Sequence, residues 1–361
     1  MSETYFVTGG TGFIGKRLVE TLVASGDKVV CLVRDKARAS ALARLGADLI
    51  EGDLSALEAL RRGVERCDGV FHCAGATRES GRREFRIVNA EGTANVAKVL
   101  AERGGVPLVA LSSLAAAGIG VKDRSGASES DAALAPYRRR VETDAPRPLS
   151  AYGRSKLSSE RALAELADRV PTTVLRPPYV FGEGDLLSLA LFKMAKNRGT
   201  FVSPGYVDYF YSFVYVDDLV EVAIAAMRRG ERLERSSLDP NGGSDKIGTC
   251  SGKGIYFPTC SRIARFSEFG AAIGRAFGRE KIAIVKIPPM GVIGTGIYGE
   301  IYKALARKKA PLDWNKATEA IRGPWVCSGE KARRDLGVSP SSEIEAQVER
   351  AARWYEKENL L

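Results

Sequence analysis

The sequence predicts an α/β protein with a doubly wound parallel sheet and a smaller, mixed α/β lobe at its C-terminal end. Short apolar strands alternate with helical patterns through the first half of the 361 residues, and this alternation loosens after about residue 178. The strands are continuous apolar runs, as expected when helices cover both faces of a parallel sheet. We therefore predict one domain over 1–178 and a second lobe over 179–361, with segments such as 206–230 returning to the sheet.

The predicted elements follow from local apolar patterns. The strands of the sheet are predicted at 5–8, 28–33, 48–51, 69–73, 107–111 and 172–176. The helices of the first domain are predicted at 12–25, 36–45, 56–63, 84–103 and 150–167. The second lobe is predicted to contain helices at 185–198, 216–229, 266–277 and 342–357, and strands at 255–259 and 282–286. Two polar stretches, 120–148 and 235–254, predict long loops.

Composition excludes several classes of protein. Apolar residues make up 45% of the chain and charged residues 27%, as in ordinary folded proteins. The absence of a long apolar run predicts no membrane-spanning helix, and the first residues lack the basic and apolar regions of a signal peptide. The six cysteines form no C-x-x-C pair, which predicts buried, reduced thiols in a cytoplasmic protein.

Charge and histidine content narrow the chemistry further. The net charge of +10 comes from short, dispersed basic clusters without interleaved aromatic residues, so we predict no nucleic-acid partner. The chain has a single histidine, His72, and therefore neither a metal site nor a Ser-His-Asp triad is expected. Any acid–base chemistry must come from Tyr, Lys, Asp, Glu or Ser side chains.

A glycine-rich turn joins the first predicted strand to the first predicted helix. Its glycines are Gly9, Gly12 and Gly15. Gly9 would permit a tight turn, Gly12 would let the backbone approach a pyrophosphate, and Gly15 would let the helix pack closely on the strand. The pattern between a strand and a helix is a dinucleotide fingerprint, so the predicted sheet is of the Rossmann type.

The end of the second predicted strand bears on which nicotinamide dinucleotide is used. An acidic residue there would hold the ribose hydroxyls of NAD. This strand ends at Val33 and is followed by Arg34, whose guanidinium suits the 2′-phosphate of NADP. Lys36 and Arg38 add positive charge, although such residues are also ordinary at a solvated helix start. We predict NADP(H) as the preferred cofactor and NAD(H) as the alternative.

Tyr152 and Lys156 form a Y-x-x-x-K motif at the start of a predicted helix, where this spacing puts both side chains on one face. A free tyrosine has a pKa of about 10, and an adjacent ammonium would favour its phenolate. Upstream, Ser112 and Ser113 follow the predicted strand 107–111, whose end should face the cofactor. A serine hydroxyl there can hold a substrate oxygen, so these groups predict a site for hydroxyl or carbonyl chemistry.

With these motifs the chain resembles the extended short-chain dehydrogenases/reductases of the NAD(P)-dependent epimerase/dehydratase superfamily. This group includes nucleotide-sugar epimerases, 3β-hydroxysteroid dehydrogenases and dihydroflavonol reductases, and the motifs are most similar to the last two. The matching segments follow the family's order and lie at 8–15, 52–54, 71–75, 88–93, 112–113, 152–156, 175–182, 214–219 and 325–337.

The resemblance implies roles for individual residues. It implies that Ser113 is the catalytic serine, that Tyr152 is the acid/base, and that Lys156 also holds the nicotinamide ribose. The further cofactor-binding positions that it implies are Phe13 and Ile14 at the pyrophosphate, Asp53 and Leu54 at the adenine, Ala74 at the ribose, and Pro178. Ser113 and Tyr179 are the expected substrate contacts. His72 and Asn89 lie in matching segments near the cofactor, but both also fit plain buried positions.

Two reactions remain open at this point. One is the interconversion of a hydroxyl and a ketone on a bulky hydrophobic substrate, such as a sterol, a steroid or another lipid. The other is the epimerisation or dehydration of a nucleotide sugar. Three departures from the pattern of the sugar-modifying members favour the first reaction. Tyr179 replaces the Asn of sugar epimerases, Val33 stands where an acid would hold NAD and is followed by Arg34, and the acidic pair of the dehydratases does not follow Ser113. A dinucleotide-binding protein without catalysis is disfavoured because the Tyr and the Lys of the motif are both present.

The segment 288–309 is apolar and Gly-rich and ends in a basic cluster. Glu300 and Lys303 interrupt it, so it cannot span a bilayer, but it could lie on an anionic surface at the inner face of a membrane. The alternative is a buried helix pair in the second lobe. The family resemblance also suggests a homodimer formed through the predicted helices 84–103 and 150–167.

Overall fold

The computed structural model describes residues 2–77, 82–122, 133–239, 249–294 and 318–361. Its strands are β1 (Thr4–Thr8), β2 (Lys28–Val33), β3 (Asp48–Glu51), β4 (Gly69–His72), β5 (Leu108–Leu111), β6 (Val121–Lys122), β7 (Tyr137–Arg138), β8 (Thr172–Leu175), β9 (Tyr179–Phe181), β10 (Thr200–Pro204), β11 (Phe210–Tyr215), β12 (Ile255–Tyr256), β13 (Ile263–Arg265) and β14 (Ala283–Ile287).

The helices of the described ranges alternate with these strands. They are α1 (Phe13–Ala24), α2 (Ser40–Arg44), α3 (Leu57–Val64), α4 (Arg82–Phe85), α5 (Gly92–Arg103), α6 (Leu114–Ala117), α7 (Ala151–Glu165), α8 (Leu189–Arg198), α9 (Val216–Arg229), α10 (Phe266–Ala276), α11 (Glu330–Leu336) and α12 (Ile344–Lys357). A π-helical turn (Arg86–Glu91) joins α4 to α5, and a 3-10 turn (Arg235–Leu238) follows α9.

A seven-stranded sheet lies at the centre, in the order β12-β8-β5-β4-β1-β2-β3 with every neighbouring pair parallel. The predicted doubly wound Rossmann-type sheet is therefore confirmed. Its inner strands are buried on both faces, as Phe6 and Val7 of β1 show with 0% exposure, whereas the edge strand β3 is partly exposed. One face packs on α1, α9 and α11, and the other packs on α3, α5 and α7.

The second lobe contains two small sheets and an aromatic core. Strand β11 pairs with β9 in parallel and with β13 in antiparallel fashion, while β10 and β14 form a parallel ribbon. Helices α8, α10 and α12 cover these strands. The core between them is rich in aromatic rings that are fully buried: Phe181, Phe192, Phe201, Phe213 and Phe269.

The segment 206–230 returns to the parallel sheet mainly through its helix, and Val214 of β11 also packs in the sheet core. Leu219, Val220 and Ala223 of α9 pack on the sheet core, but strand β11 buries Phe213 in the second lobe instead. The strand that does join the central sheet from the second lobe is β12, which pairs with β8 at the edge. The two parts of the chain are therefore interleaved, because β12, α9 and α11 all lie beyond residue 178.

Some element boundaries differ from the prediction for local reasons. The predicted helix 84–103 is interrupted by the π-helical turn, and the predicted helix 185–198 begins only at Leu189. Before Leu189, the carboxylate of Asp185 accepts a 2.7 Å hydrogen bond from the backbone nitrogen of Leu187, which closes a turn. Parts of the predicted loops, 123–132 and 240–248, lie outside the described residues, as does most of the predicted surface segment, 295–309.

Two general features agree with the composition of the chain. All six cysteines are free thiols, and all but Cys73, which is half-buried, are buried. Across the described ranges, no helix combines the length and the apolar character that crossing a bilayer requires.

Candidate active site

The glycine turn between β1 and α1 is a close backbone contact. Gly9 has a φ of +76°, and a Cβ atom there would lie 2.5 Å from the backbone nitrogen of Ala74. A Cβ atom on Gly15 would lie 2.2 Å from the carbonyl oxygen of Gly9. Gly12, the N-cap of α1, leaves the start of that helix without a side chain in front of it. Only glycine fits at positions 9 and 15, and the bare helix start at Gly12 suits a pyrophosphate.

A cavity of about 400 Å³ opens beside this turn, at the carboxyl ends of strands β1 to β4. Ligands of open α/β sheets bind at this edge, and the volume lies in the usual range for small-molecule sites. Of the predicted cofactor-binding residues, six line the cavity: Gly9, Gly12, Arg34, Asp53, Leu54 and Ala74. The glycine cradle and the cavity together fit a dinucleotide.

Arg34 and Asp53 both line this cavity, at the positions where the adenosine end of a dinucleotide is predicted. Arg34 is exposed to solvent. Asp53 accepts hydrogen bonds from the backbone nitrogen of Ser55 at 2.8 Å and from its hydroxyl at 2.6 Å. These bonds, helped by the charge of Arg34, hold the pKa of Asp53 below its usual range. The neighbouring Arg38 forms an ion pair with Asp35 at 3.3 Å, so Arg34 is the better placed of the two to bind a phosphate.

Other predicted cofactor-binding residues lie beside the cavity and are not part of its wall. The half-buried side chains of Phe13 and Ile14, in the first turn of α1, pack against the second-lobe core and the sheet core respectively. Any contact of these two with a pyrophosphate would therefore use their backbone. Pro178 is half-buried between β8 and β9. Its contact with the cofactor stays a prediction.

The predicted catalytic residues come from two neighbouring segments. Tyr152 and Lys156 lie on α7, and the ammonium of Lys156 donates a 2.8 Å hydrogen bond to the carbonyl oxygen of Leu111 at the end of β5. Ser113 follows two residues later and caps α6, with its Oγ accepting from the backbone nitrogen of Ala115 at 3.1 Å. A Cβ atom on Gly75, which lines the cavity, would lie 2.9 Å from Lys156 Nζ. The lysine therefore adjoins the cofactor cavity.

Lys156 is buried, and its surroundings shift its titration. Burial lowers the pKa of Lys156 to about 8, and the negative charge of Glu160 partly opposes this shift. Glu160 is itself fully buried in an ion pair with Arg176, whose Nη2 lies 2.6 Å from Glu160 Oε2. A lysine with a pKa near the working pH can respond to small changes around it, which is typical of functional sites.

The surroundings of Tyr152 are apolar. Its ring lies 5.7 Å from the ring of Phe85, centroid to centroid. Tyr152 belongs to a hydrophobic cluster to which both halves of the chain contribute. Its other buried members include Ala76, Phe85, Leu114, Ala115, Phe257, Trp325 and Cys327. The first four precede Tyr152 in the chain and the other three belong to the second lobe.

Tyr179, the predicted substrate contact, lies in the aromatic core of the second lobe. Its ring is 5.5 Å from that of Phe213 and 5.7 Å from that of Phe269. Its hydroxyl lies 2.8 Å from the hydroxyl of Ser188, and burial raises the pKa of Tyr179 above its usual value. A contact between Tyr179 and a substrate stays a prediction.

His72 and Asn89 are buried polar residues with satisfied hydrogen bonds. The ring nitrogens of His72 lie 2.7 Å from Thr8 Oγ1 and 2.9 Å from Thr93 Oγ1. Burial lowers the pKa of His72 to about 3, so the imidazole is neutral at neutral pH. Asn89 accepts a 2.7 Å bond from the backbone nitrogen of Ala76 and donates one of 3.0 Å to its carbonyl oxygen. These contacts agree with the structural role that the sequence allowed for both.

One wall of the cavity and one buried ion pair were not among the features predicted from the sequence. The wall consists of residues from α4, the π-helical turn and α5: Glu84, Ile87, Val88, Glu91, Gly92 and Asn95. The apolar pattern carries no signal for this wall, because a π-helical turn changes which side chains share a face. Glu160 did have a signal, since it lies four residues after Lys156 on the same helical face.

Comparisons with known proteins identify the family of the chain. The profile of the NAD dependent epimerase/dehydratase family matches residues 5–237. Sterol demethylase protein B of Methylococcus capsulatus is 30% identical over 239 residues, which are 64% of this chain and 68% of that protein. The 4-hydroxy-2-methyl-3-oxo-4-farnesyl-3,4-dihydroquinoline-1-oxide ketoreductase of Stigmatella aurantiaca is 30% identical over 344 residues, which are 92% of this chain and 91% of that protein.

A solved structure shows the same fold. The UDP-glucose 4-epimerase of Thermotoga maritima, crystallised with UDP-glucose, has a TM-score of 0.72 and 20% identity, and 99% of each chain is covered. The resemblance drawn from the motifs is thus confirmed by the family profile and by relatives named for sterol and ketone chemistry. The chain is an extended short-chain dehydrogenase/reductase and belongs to the NAD dependent epimerase/dehydratase family.

Proposed function

We propose that this protein is an NADP(H)-dependent oxidoreductase that interconverts a hydroxyl and a ketone on a bulky hydrophobic substrate. The apolar surroundings of Tyr152, to which Phe85, Phe257 and Trp325 contribute, carry the proposal. A sugar there would lose the hydration of its hydroxyls to aromatic side chains that offer few partners in return. A sterol-like ring system or a long alkyl chain would instead gain by burying apolar surface.

The relatives support the same substrate class. One is named for sterol demethylation, and the other, which aligns over nine-tenths of this chain, is named as a ketoreductase of a farnesyl-bearing compound. The epimerase structure shares only the fold with this chain at 20% identity, so it does not favour a sugar substrate.

The residues of the chain fit the proton chemistry of such a reaction. The bound dinucleotide would supply or remove the hydride. Ser113 would orient the substrate oxygen by a hydrogen bond from its hydroxyl. In reduction, the phenol of Tyr152 donates its proton to the carbonyl oxygen, and in oxidation the phenolate accepts the proton of the hydroxyl. The ammonium of Lys156, fixed at the end of β5, favours the phenolate.

Arg34 supports the choice of NADP(H) over NAD(H). Its exposed guanidinium lines the cofactor cavity directly after β2, where a 2′-phosphate would lie. A carboxylate at the end of β2 would repel that phosphate, but the strand ends at the buried, apolar Val33. NAD(H) remains the alternative until the two affinities are compared.

A substrate panel tests the proposal. The protein is incubated with NADPH and a steroid ketone, with NADPH and a long-chain ketone, and with UDP-glucose alone, and Tyr152→Phe is the control. We expect NADPH oxidation with at least one hydrophobic ketone and no change of the nucleotide sugar. Conversion of UDP-glucose with the cofactor retained would replace this proposal by the epimerase function. A lack of turnover with every substrate would favour a non-catalytic dinucleotide-binding protein.

We further propose that the protein contacts a membrane surface peripherally and takes its substrate from there. Strands β10 and β14 are parallel, so the residues that follow them lie at the same end of the ribbon. Three large apolar side chains in these continuations are exposed: Tyr206 at 67%, Val207 at 54% and Met290 at 84%. An apolar patch on a chain with a net charge of +10 suits an anionic lipid surface.

A further inference from the structure

Glu160 accepts hydrogen bonds from two other segments of the active-site region. Its Oε1 accepts from the hydroxyl of Ser112 and, at 3.0 Å, from Nε of Arg176. Its Oε2 accepts from Nη2 of Arg176 at 2.6 Å. The side chains of the ion pair are 1% and 0% exposed, so three donors hold this carboxylate out of contact with solvent.

These contacts connect the elements that carry the proposed catalytic residues. Glu160 lies on α7, one turn after Lys156 and two turns after Tyr152. Ser112 stands between Leu111, whose carbonyl oxygen accepts from the Lys156 ammonium, and the proposed catalytic Ser113. The Glu160 carboxylate therefore fixes the end of β5 against α7 from one side, as the Lys156 ammonium does from the other.

A gain in folding stability is a weak explanation for the presence of the buried ion pair between Glu160 and Arg176. Replacement of a buried ion pair by apolar side chains of similar size is often neutral or stabilising. The pair is also incompletely satisfied, because the buried Nη1 of Arg176 has no acceptor among the residues that the structure describes. An unpaired buried donor destabilises the folded state, so a role beyond packing is expected for the pair.

Of the titratable groups described around Lys156, Glu160 is the one that is negatively charged at neutral pH. From β4 and its continuation, His72 and Cys73 face the lysine, and burial lowers the pKa of His72 to about 3 and raises that of Cys73 to about 12. Both groups are therefore uncharged at neutral pH. From β5, the contact is the neutral carbonyl group of Leu111. Glu160, on the lysine's own helix, supplies the negative charge that favours its ammonium form.

We infer that Glu160 is a positioning residue that keeps Lys156 in its ammonium form and holds Ser113 in place relative to Tyr152. The inference rests on the proposed function for the roles of these three residues. The negative charge of Glu160 acts in two steps. Glu160 favours the Lys156 ammonium, and the ammonium favours the Tyr152 phenolate. Removal of the Glu160 charge would therefore move the titration of Tyr152 to higher pH.

The experiment measures this titration without any substrate. The near-ultraviolet absorbance of phenolate is recorded against pH, and the curve of Tyr152→Phe is subtracted to isolate Tyr152. The same subtraction is made for Glu160→Gln, with Tyr152→Phe added in its own reference protein. An adjacent opposite charge shifts a pKa by about 1–3 units, so loss of the Glu160 charge should raise the midpoint of Tyr152 by about one pH unit.

Two further variants separate a role in positioning from a role in folding. Glu160→Leu combined with Arg176→Met leaves no unpaired buried charge and should fold even where Glu160→Gln does not. It should show an upward shift that is smaller than in Glu160→Gln, because the positive charge of Arg176 is removed as well. Asp144→Asn is the matched control, because it removes a buried carboxylate that pairs with Arg138 at 2.7 Å, and it should leave the midpoint unchanged.

The outcomes distinguish this inference from the proposed function. An unchanged midpoint in the folded double variant, or an equal shift in Asp144→Asn, would overturn the role of Glu160. A raised midpoint together with no turnover in the substrate panel would count against the proposed reaction alone. Turnover with a hydrophobic ketone and an unchanged midpoint would count against Glu160 alone.

Discussion

Lys156 and Leu111 are joined by a 2.8 Å hydrogen bond from the lysine ammonium to the leucine carbonyl oxygen. This bond links α7 to the end of β5, and thus the helix that carries Tyr152 to the strand that precedes Ser113. Because Lys156 is buried and its pKa is lowered to about 8, protonation of this single group can determine both the geometry and the charge of the site.

Tyr152→Phe should lower turnover by a factor of about 10²–10⁴ and leave cofactor binding nearly intact. The ring keeps its packing against Phe85, and only the proton-exchanging hydroxyl is lost. Steady-state kinetics and a cofactor titration by fluorescence check the two parts. Lys156→Ala is the companion variant and should damage both. A Tyr152→Phe protein that retains more than about a tenth of the rate would exclude Tyr152 as the acid/base.

Arg34→Ala should abolish a preference for NADP(H). The guanidinium can bind a 2′-phosphate through paired hydrogen bonds, and such charge-assisted contacts are worth roughly 1.5–3 kcal/mol. We expect NADP(H) to bind at least about tenfold tighter than NAD(H) in the unmodified protein, since about 1.4 kcal/mol corresponds to tenfold. Arg38→Ala, which removes a cation paired with Asp35, is the control. Equal affinities for the two cofactors in the unmodified protein would contradict the prediction.

His72 should make the folded state sensitive to acid. Burial lowers its pKa from the usual 6.5 to about 3 in the folded protein, so between these values the unfolded chain binds more protons. Stability therefore falls as the pH falls through this range, by about 1.4 kcal/mol per pH unit from this residue. The free energy of unfolding is measured with urea at pH near 6.5 and near 5. Its decrease between these two pH values should be about 2 kcal/mol smaller in His72→Gln than in the unmodified protein. The same loss in both proteins would contradict it.

The protein should co-sediment with anionic liposomes at low salt and be released at high salt. Electrostatic attraction of a basic protein to lipid is screened as ionic strength rises. Met290→Ser combined with Tyr206→Ser removes two of the most exposed apolar side chains of the patch and should weaken sedimentation. Liposomes of neutral lipid are the control. If the unmodified protein remains in the supernatant at low salt, membrane contact is not a property of this chain alone.

The central sheet could be predicted because its signals are local. The glycine turn at Gly9, Gly12 and Gly15 and the continuous apolar strands each depend on a few neighbouring residues, and the structure places them as expected. The second lobe was less predictable. The pairing of β12 with β8 joins residues about eighty positions apart, and a two-residue strand carries almost no pattern of its own.

Some residues of the candidate site could likewise be predicted from the sequence, and others could not. The positions of Tyr152 and Lys156 followed from helical spacing and that of Arg34 from its place after a predicted strand, whereas Asp53 followed from the family resemblance. The apolar surroundings of Tyr152 were not predicted, because Phe85, Phe257 and Trp325 come from distant segments and look like ordinary core residues. Tyr179 lies among the phenylalanines of the second lobe, which the sequence did not indicate, and its contact with a substrate stays a prediction.

The interleaving of the two lobes also limits how this enzyme can be recombined with others. A cut at residue 178 would remove β12 and leave β8 as an open edge, since Val174 and Arg176 donate to the carbonyl oxygens of Gly254 and Tyr256 at 2.8 Å. Open edges invite aggregation. The cut would also remove α9 and bare one face of the sheet. A chimera that exchanges substrate specificity must therefore keep α9, β12 and α11 with the cofactor-binding half, which calls for several junctions instead of one.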